Sequence, residues 1–107
     1  MALLQLTIIP IGTSTPNLGD YVLTIQKHLT DMNATFTLND MGTLIEGEAT
    51  ELLQLVIALY ESPFDEGAVR VVTQITIDDR RDKKVKIGDK TQSILRRYVS
   101  PEISSHD

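Results

Sequence analysis

The sequence predicts an α+β protein of βαββαβ order with one further helix at its C-terminal end. Polar and apolar residues alternate in four short segments, apolar residues recur every three or four positions in three others, and turn residues separate the segments. With 107 residues, 41% of them hydrophobic and 23% charged, the chain has the composition of one globular domain. We expect a single domain over residues 1–99 and a polar, flexible tail over residues 100–107.

The first strand and the first helix are separated by a loop that contains proline and glycine. Leu4, Leu6 and Ile8 alternate with other residues in the period of a strand, which Pro10 ends. After the loop, six apolar residues form a single stripe on a helix: Leu18, Tyr21, Val22, Ile25, Leu29 and Met32. This helix is therefore amphipathic, and we expect its stripe to pack on the sheet.

The middle of the chain predicts a hairpin followed by a second helix. Residues 35–38 and 43–48 have extended patterns, and residues 39–42 between them have turn chemistry. Apolar residues at helical spacing over residues 50–60 predict a second amphipathic helix, which Ser62 and Pro63 end.

The last third of the chain predicts a long strand over residues 69–78 and a weaker helix over residues 89–98. Connections between parallel strands are right-handed, and both long helices must cover one face of the sheet. The topology that best fits this order is the ferredoxin-like sandwich with an additional C-terminal helix.

The sheet face without helices is predicted to be half apolar. Its expected residues include Leu3, Gln5, Thr7, Ile9, Val72, Gln74 and Thr76. Aliphatic surface on an open sheet is typical of an interface between subunits. We therefore expect a homo-oligomer.

Charge is distributed unevenly along this chain of net charge -5. Residues 1–69 carry nine acids and one base, whereas residues 70–97 carry nine bases and four acids. Within residues 78–86 the bases are interspersed with aspartates and no aromatic residue lies among them, which disfavours nucleic-acid binding. A solvated segment, or one docked on an acidic neighbouring subunit, is the favoured interpretation.

Several kinds of chemistry are excluded or disfavoured by what the sequence lacks. It contains no cysteine, which excludes disulfides, thiolate zinc sites and cysteine nucleophiles. Neither His28 nor His106 has a partner at metal-ligand spacing. Residues 1–9 lack a basic start and contain Gln5 and Thr7, so they predict a strand and not a signal peptide or membrane span. We expect a cytoplasmic protein without a metal, a cofactor or a membrane partner.

Glu46 is a carboxylate within a predicted strand, where a buried charge needs a cation or hydrogen-bond donors. Two interpretations remain open: an internal ion pair with Arg70, and contact with a cationic ligand. Glu46 and Glu48 also lie on one face of the predicted strand, which raises the hypothesis of a small enzyme with an acid and a base. The missing histidine, cysteine and metal constellations disfavour it, and we expect no enzyme.

Several short motifs, in this order and spacing, resemble the thiamine-binding protein family. They are Pro10-x-Gly12, Tyr21-Val22, the Met-Gly-Thr-Leu-Ile-Glu-Gly of residues 41–47, Gly67 with Arg70-Val71, and Ile77-Asp78-Asp79-Arg80 with Lys90. The resemblance covers nearly the whole chain. It implies a ferredoxin-like fold, a homodimer or homotetramer, no catalytic activity, and binding of thiamine or its hydroxymethylpyrimidine moiety.

The resemblance also implies a ligand site around residues 41–47. Glu46 would supply an acceptor or a countercharge, Thr43 would supply hydrogen bonds, and Met41, Leu44 or Tyr21 would line a slot for the ring. The expected ligand-binding residues are Thr43, Glu46 and Gly47 from the motif, with Thr13, Ser14, Met41 and Leu44 added because of their positions. The alternative is a regulatory or structural homo-oligomer that binds no vitamin and uses its open sheet face for partner contacts.

Overall fold

The structure, a computed structural model, describes residues 1–12 and 18–104. Within them lie four strands, three longer helices and one helix of four residues. In chain order these are β1 (Ala2–Pro10), α1 (Leu18–Asp31), β2 (Thr35–Asn39), β3 (Gly42–Gly47), α2 (Ala49–Tyr60), α3 (Ser62–Asp65), β4 (Val71–Asp79) and α4 (Asp89–Ser104). The predicted α+β class and the C-terminal helix are confirmed.

The four strands form one sheet in the order β2-β3-β1-β4, and every neighbouring pair is antiparallel. The central strand β1 pairs Leu4 with Ile45 of β3 on one side and with Ile77 of β4 on the other. Directly paired residues point to the same face, so this register places one row of aliphatic side chains on one side of the sheet.

The core lies between that side of the sheet and the helices α1 and α2. Leu4 and Ile45 from the sheet, Leu29 from α1 and Leu59 from α2 are fully buried. Each fully buried aliphatic side chain contributes about 1.5–3 kcal/mol by leaving water. Because the buried side chains of α1 and α2 pack here, both helices leave the opposite face of the sheet uncovered.

Several boundaries differ from the sequence prediction. The last strand begins at Val71 and not at residue 69, so the predicted strand residue Val69 lies outside it and is exposed. Ser62 and Pro63 end α2 as expected, but they also begin the short helix α3, because proline is well suited to the first turn of a helix. The last helix continues past residue 98 to Ser104, so residues 100–104 of the expected tail are helical and residues 105–107 lie outside the described residues.

Helix α4 stands apart from the core. All of its described side chains, in residues 89–98, are exposed, and Tyr98 has an exposed fraction of 82%. The radius of gyration is 17.2 Å, whereas a compact chain of this length has about 13 Å. The chain extends over 60 × 29 × 21 Å, so its shape is elongated.

Ion pairs order the segment between β4 and α4. Arg80 donates from Nε to Asp82 Oδ1 at 2.9 Å and from Nη2 to Oδ2 at 2.5 Å. Lys90 Nζ lies 2.5 Å from Asp78 Oδ2. The hydrogen bond from Arg80 lowers the pKa of Asp82 to about 2, and that from Lys90 lowers the pKa of Asp78. These carboxylates therefore remain ionised at neutral pH and keep their cations engaged.

Candidate functional site

A cavity of about 780 Å³ opens where α1 begins, β1 ends and the β2–β3 turn folds over the sheet. Its walls are mostly apolar and include Leu6, Ile8, Val22 and Leu38. This volume is typical of pockets for small organic molecules, which combine apolar walls with a few placed polar groups. The cavity is therefore the candidate site.

One hydrogen-bonded pair crosses the cavity wall from helix to sheet. Gln26 of α1 donates from Nε2 to Oγ1 of Thr43 in β3 at 3.0 Å. Thr43 is 5% exposed, so this bond satisfies a hydroxyl that burial removes from water. Among the described contacts, the Thr43 hydroxyl proton, the Gln26 Oε1 and the second Gln26 N–H have no partner.

The β2–β3 turn is held against the end of β1. Thr7 Oγ1 donates to the carbonyl of Met41 at 3.1 Å. A Cβ at Gly42 would lie 2.8 Å from Thr7 Oγ1 and 3.0 Å from the Leu6 carbonyl oxygen, so only glycine permits this approach. The close contact brings Met41 and its neighbours to the cavity.

Asp40 carries the single formal charge among the described residues that line the cavity. It lies in the exposed β2–β3 turn. With one carboxylate and no lysine or arginine along this described lining, the cavity suits neutral and cationic ligands and disfavours anions.

The structure divides the predicted ligand-binding residues between the two faces of the sheet. Thr43 and Met41 line the cavity. Leu44 and Glu46 pair with Gln5 and Leu3, which point away from the helices, and neither lines the cavity. A single pocket in this chain therefore does not bring Thr43 and Glu46 together, because residues an odd number apart in a strand lie on opposite faces.

Glu46 has a backbone partner that neither interpretation of the sequence named. Its Oε1 accepts a hydrogen bond from the Ile87 N–H at 3.1 Å, which ties the segment after β4 to the open sheet face. The described contacts include no bond between Glu46 and Arg70; the Arg70 carbonyl instead accepts from the Ile11 N–H at 2.9 Å. In place of an ion pair, Glu46 has a charge-assisted bond to the main chain.

The remaining predicted residues have other positions. A Cβ at Gly47 would lie 3.2 Å from Cδ2 of Leu52, so this glycine allows α2 to pack closely on the end of β3. Glu48 follows as the residue that precedes α2, and it lies 3.7 Å from the N-terminal amine of Met1. Thr13 and Ser14 lie outside the described residues.

Sequence reasoning missed Gln26 and Asp40 as cavity residues. Gln26 follows Val22 by four positions, so the two share a helix side, and that spacing was the available signal. The turn chemistry of residues 39–42 predicts only a turn position for Asp40. The described residues hold no group of three or more histidine, aspartate or glutamate side chains arranged for a metal ion. Nor does any helix in the described ranges have the length and apolar character to cross a membrane.

Known proteins resemble this chain in sequence. The UPF0045 protein YqgV of Bacillus subtilis is 46% identical over 105 residues, which cover 94% of this chain and all of that protein. A UPF0045 protein of Methanothermobacter thermautotrophicus is 38% identical over 91 residues, which cover 84% of this chain and 92% of that one. Each of these matches covers more than four fifths of both chains.

Solved structures share the fold. The hypothetical protein MJ1052 of Methanocaldococcus jannascii matches with a TM-score of 0.74 at 28% identity, over 87% of this chain and 94% of that chain. A DUF77 domain from Bacillus cereus matches with a TM-score of 0.73 at 25% identity, over 83% of this chain and 85% of that one. The sequence model described as thiamine-binding protein matches residues 4–95, which include both walls of the cavity. The chain therefore belongs to the thiamine-binding protein family, as its motifs predict.

Proposed function

We propose that this protein is a non-catalytic module that binds thiamine or its hydroxymethylpyrimidine moiety in the cavity beside α1. The proposal rests on the Gln26–Thr43 pair on the wall of an apolar cavity of about 780 Å³, whose remaining donors and acceptor have no partner within the described part of the chain. Membership of the thiamine-binding protein family supports the choice of ligand. The strand order β2-β3-β1-β4 supports assigning the scaffold to the ferredoxin-like sandwich.

The aminopyrimidine ring matches the polar groups of the cavity wall. It is flat, and one edge presents an amino donor next to a ring-nitrogen acceptor. Gln26 Oε1 accepts from the amino group, while the Thr43 hydroxyl or the second Gln26 N–H donates to the ring nitrogen. Ile8 and Val22, on opposite walls, enclose the faces of the ring.

Titration calorimetry with thiamine, its phosphates and hydroxymethylpyrimidine tests this function. We expect saturable binding of at least one of these ligands, together with a matching rise in the unfolding midpoint, because a ligand that prefers the native state stabilises it by mass action. No heat and no shift, in folded protein stripped of ligand, would favour the alternative of a regulatory or structural homo-oligomer.

Asp40→Asn should separate thiamine from its pyrimidine moiety. Thiamine carries a thiazolium cation and hydroxymethylpyrimidine is neutral, so loss of the exposed carboxylate at the cavity weakens only thiamine. We expect about a twofold to fivefold loss for thiamine, the scale of an exposed ion pair, and a smaller loss at high salt. Asp31→Asn, on α1 and outside the cavity lining, is the matched control. Equal losses for both ligands would contradict the assignment of Asp40 as the countercharge.

Glu46→Gln distinguishes the cavity from the open sheet face as the ligand site. The motif resemblance predicts that this change weakens ligand binding by about 1–3 kcal/mol. If the ligand occupies the cavity, we expect unchanged affinity and faster hydrogen exchange at the Ile87 amide, whose acceptor is weakened. A loss of affinity with intact folding would place the ligand on the open face instead.

We propose that the open sheet face joins two copies of this chain in a homodimer or homotetramer. Ile9 and Val72 pair directly there, on the side away from the core, and Ile9, which also lines the cavity, is exposed. Val72→Lys should split the oligomer, because it introduces a charge into that aliphatic surface. Light scattering measures the mass, with Lys84→Gln as a control in the solvated segment. An unaltered mass for Val72→Lys would exclude this face as the interface.

A further inference from the structure

A second concavity, of about 380 Å³, lies between the segment after β4 and the first turns of α4. Val85, which is buried, and Ile94 form its apolar part. Four cationic side chains line it, with one acid: Arg80, Lys83, Lys90 and Arg97, with Asp89. The lining therefore has an excess of positive charge on a protein whose net charge is -5.

Internal pairing accounts for part of this charge. Arg80 is engaged by Asp82 and Lys90 by Asp78. Asp89, the acid of the lining, accepts the Lys86 N–H through Oδ2 at 2.9 Å, so the main chain already holds this carboxylate.

Two cations of the concavity have no hydrogen-bonded carboxylate among the described residues, although the positive charge of Lys83 contributes to the lowered pKa of Asp82. Among the described contacts, no carboxylate accepts from Lys83 or from Arg97. They come from different elements, the segment after β4 and helix α4, and both line the same space. Ser93 adds a hydroxyl to the same lining. An ammonium, a guanidinium and a hydroxyl are the donors that proteins use for phosphate oxygens.

We propose that this concavity binds a phosphate group, free or on a small organic molecule, through Lys83, Arg97 and Ser93. Arg80 and Lys90 stay paired with Asp82 and Asp78, so the positive charge available to an anion comes from Lys83 and Arg97. The concave shape favours a compact anion over the extended strand of a nucleic acid, and no aromatic residue lines it for base stacking.

This site is separate from the thiamine cavity. The cavity lies at the β1 end that holds Ile9, whereas the Arg80 N–H bonds to the Met1 carbonyl at the opposite end of the same strand. The cavity lining extends along β1 as far as Leu6, and the stretch from Leu6 to Met1 spans about 17 Å at the usual rise per residue. One small ligand within a single chain cannot occupy both, so the anion site does not depend on the proposed vitamin site.

Calorimetric titration of the full chain with inorganic pyrophosphate, at constant ionic strength, tests the proposal. Adenosine diphosphate tests for binding of a phosphate on an organic molecule, and adenosine is its control without phosphate. We expect saturable pyrophosphate binding at one site per chain and no adenosine binding. Tighter binding of adenosine diphosphate than of pyrophosphate would identify an organic phosphate as the occupant, and the reverse order would identify a free anion.

Charge-matched variants separate a built site from general attraction. Lys83→Gln and Arg97→Gln should each weaken pyrophosphate binding by about tenfold, the scale of one charge-assisted hydrogen bond. Lys84→Gln and Arg96→Gln remove the same charges at neighbouring positions outside the lining, and we expect less than about a twofold effect, in line with weak, screened surface electrostatics. Equal losses in all four variants, or no saturation in the parent protein, would overturn the proposal. So would dissociation of the oligomer by Lys83→Gln without any anion binding, because an acidic surface of a second copy would then be the partner.

Discussion

Replacing Gln26 with leucine should weaken binding of thiamine and hydroxymethylpyrimidine by about 1–3 kcal/mol, or roughly fivefold to 150-fold. Leucine keeps most of the side-chain volume but removes the acceptor for the amino group and leaves the buried Thr43 hydroxyl without its donor. The polar edge of the ligand then faces an apolar wall that offers no hydrogen-bond partner. Burying these unpaired polar groups costs more binding free energy than the loss of an average hydrogen bond. Calorimetry on both ligands measures the effect.

Gln54→Leu is the matched control, because Gln54 is exposed on α2 and does not line the cavity. It should leave affinity unchanged. Thr43→Ser retains the hydroxyl and should bind within a few-fold of the parent, whereas Thr43→Val should lose affinity as Gln26→Leu does. If Gln26→Leu folds and binds with parental affinity, the Gln26–Thr43 pair does not recognise the ligand.

Leu29→Ala should destabilise the fold by about 2–5 kcal/mol. Leu29 has no exposed surface and packs from α1 into the centre of the core, so the shorter side chain leaves a cavity that the surrounding strands fill only in part. Urea unfolding at a fixed protein concentration measures the change, since subunit association makes the apparent stability depend on concentration.

Leu53→Ala provides the comparison for this stability measurement. Leu53 lies on α2 with an exposed fraction of 45%, and it should lose about 1 kcal/mol or less. The urea slope should stay the same in both variants, because neither changes the surface that unfolding exposes by much. A Leu29→Ala protein as stable as Leu53→Ala would mean that the core is not centred between α1 and β1.

Much of the fold follows from local patterns in the sequence. The alternation that places Leu4 and Leu6 together also buries both, and the helical spacing of Ile25 and Leu29 buries them on the same core. Pro63 ends α2 because of its ring geometry, which no tertiary contact alters. These features depend on neighbours a few positions apart, so the order of strands and helices could be predicted.

The candidate site depended on contacts between distant positions. Thr43 and Glu46 lie in one short sequence motif, and this motif predicts a single ligand site that contains both residues. The period of a strand already separates them, but only the packing of α1 and α2 decides which face becomes a cavity wall. Gln26 and Thr43 are 17 positions apart in the sequence, and Ile87 and Glu46 are 41 positions apart. No local spacing pattern predicts a hydrogen bond over either separation.

By itself, then, the sequence determined the α+β class, the element order, the apolar faces and the motifs that place this chain in its family. Side-chain periodicity and turn chemistry depend on residues a few positions apart, so they can be recognised in the sequence. The tertiary structure alone decided that the cavity contains Thr43, Gln26 and Asp40, that Glu46 holds the main chain on the other face, and that Lys83 and Arg97 line one concavity. These contacts form only when helices and loops pack on the sheet. Hydrogen bonds and electrostatic interactions depend on the distance between atoms in space, and separation along the chain does not give that distance.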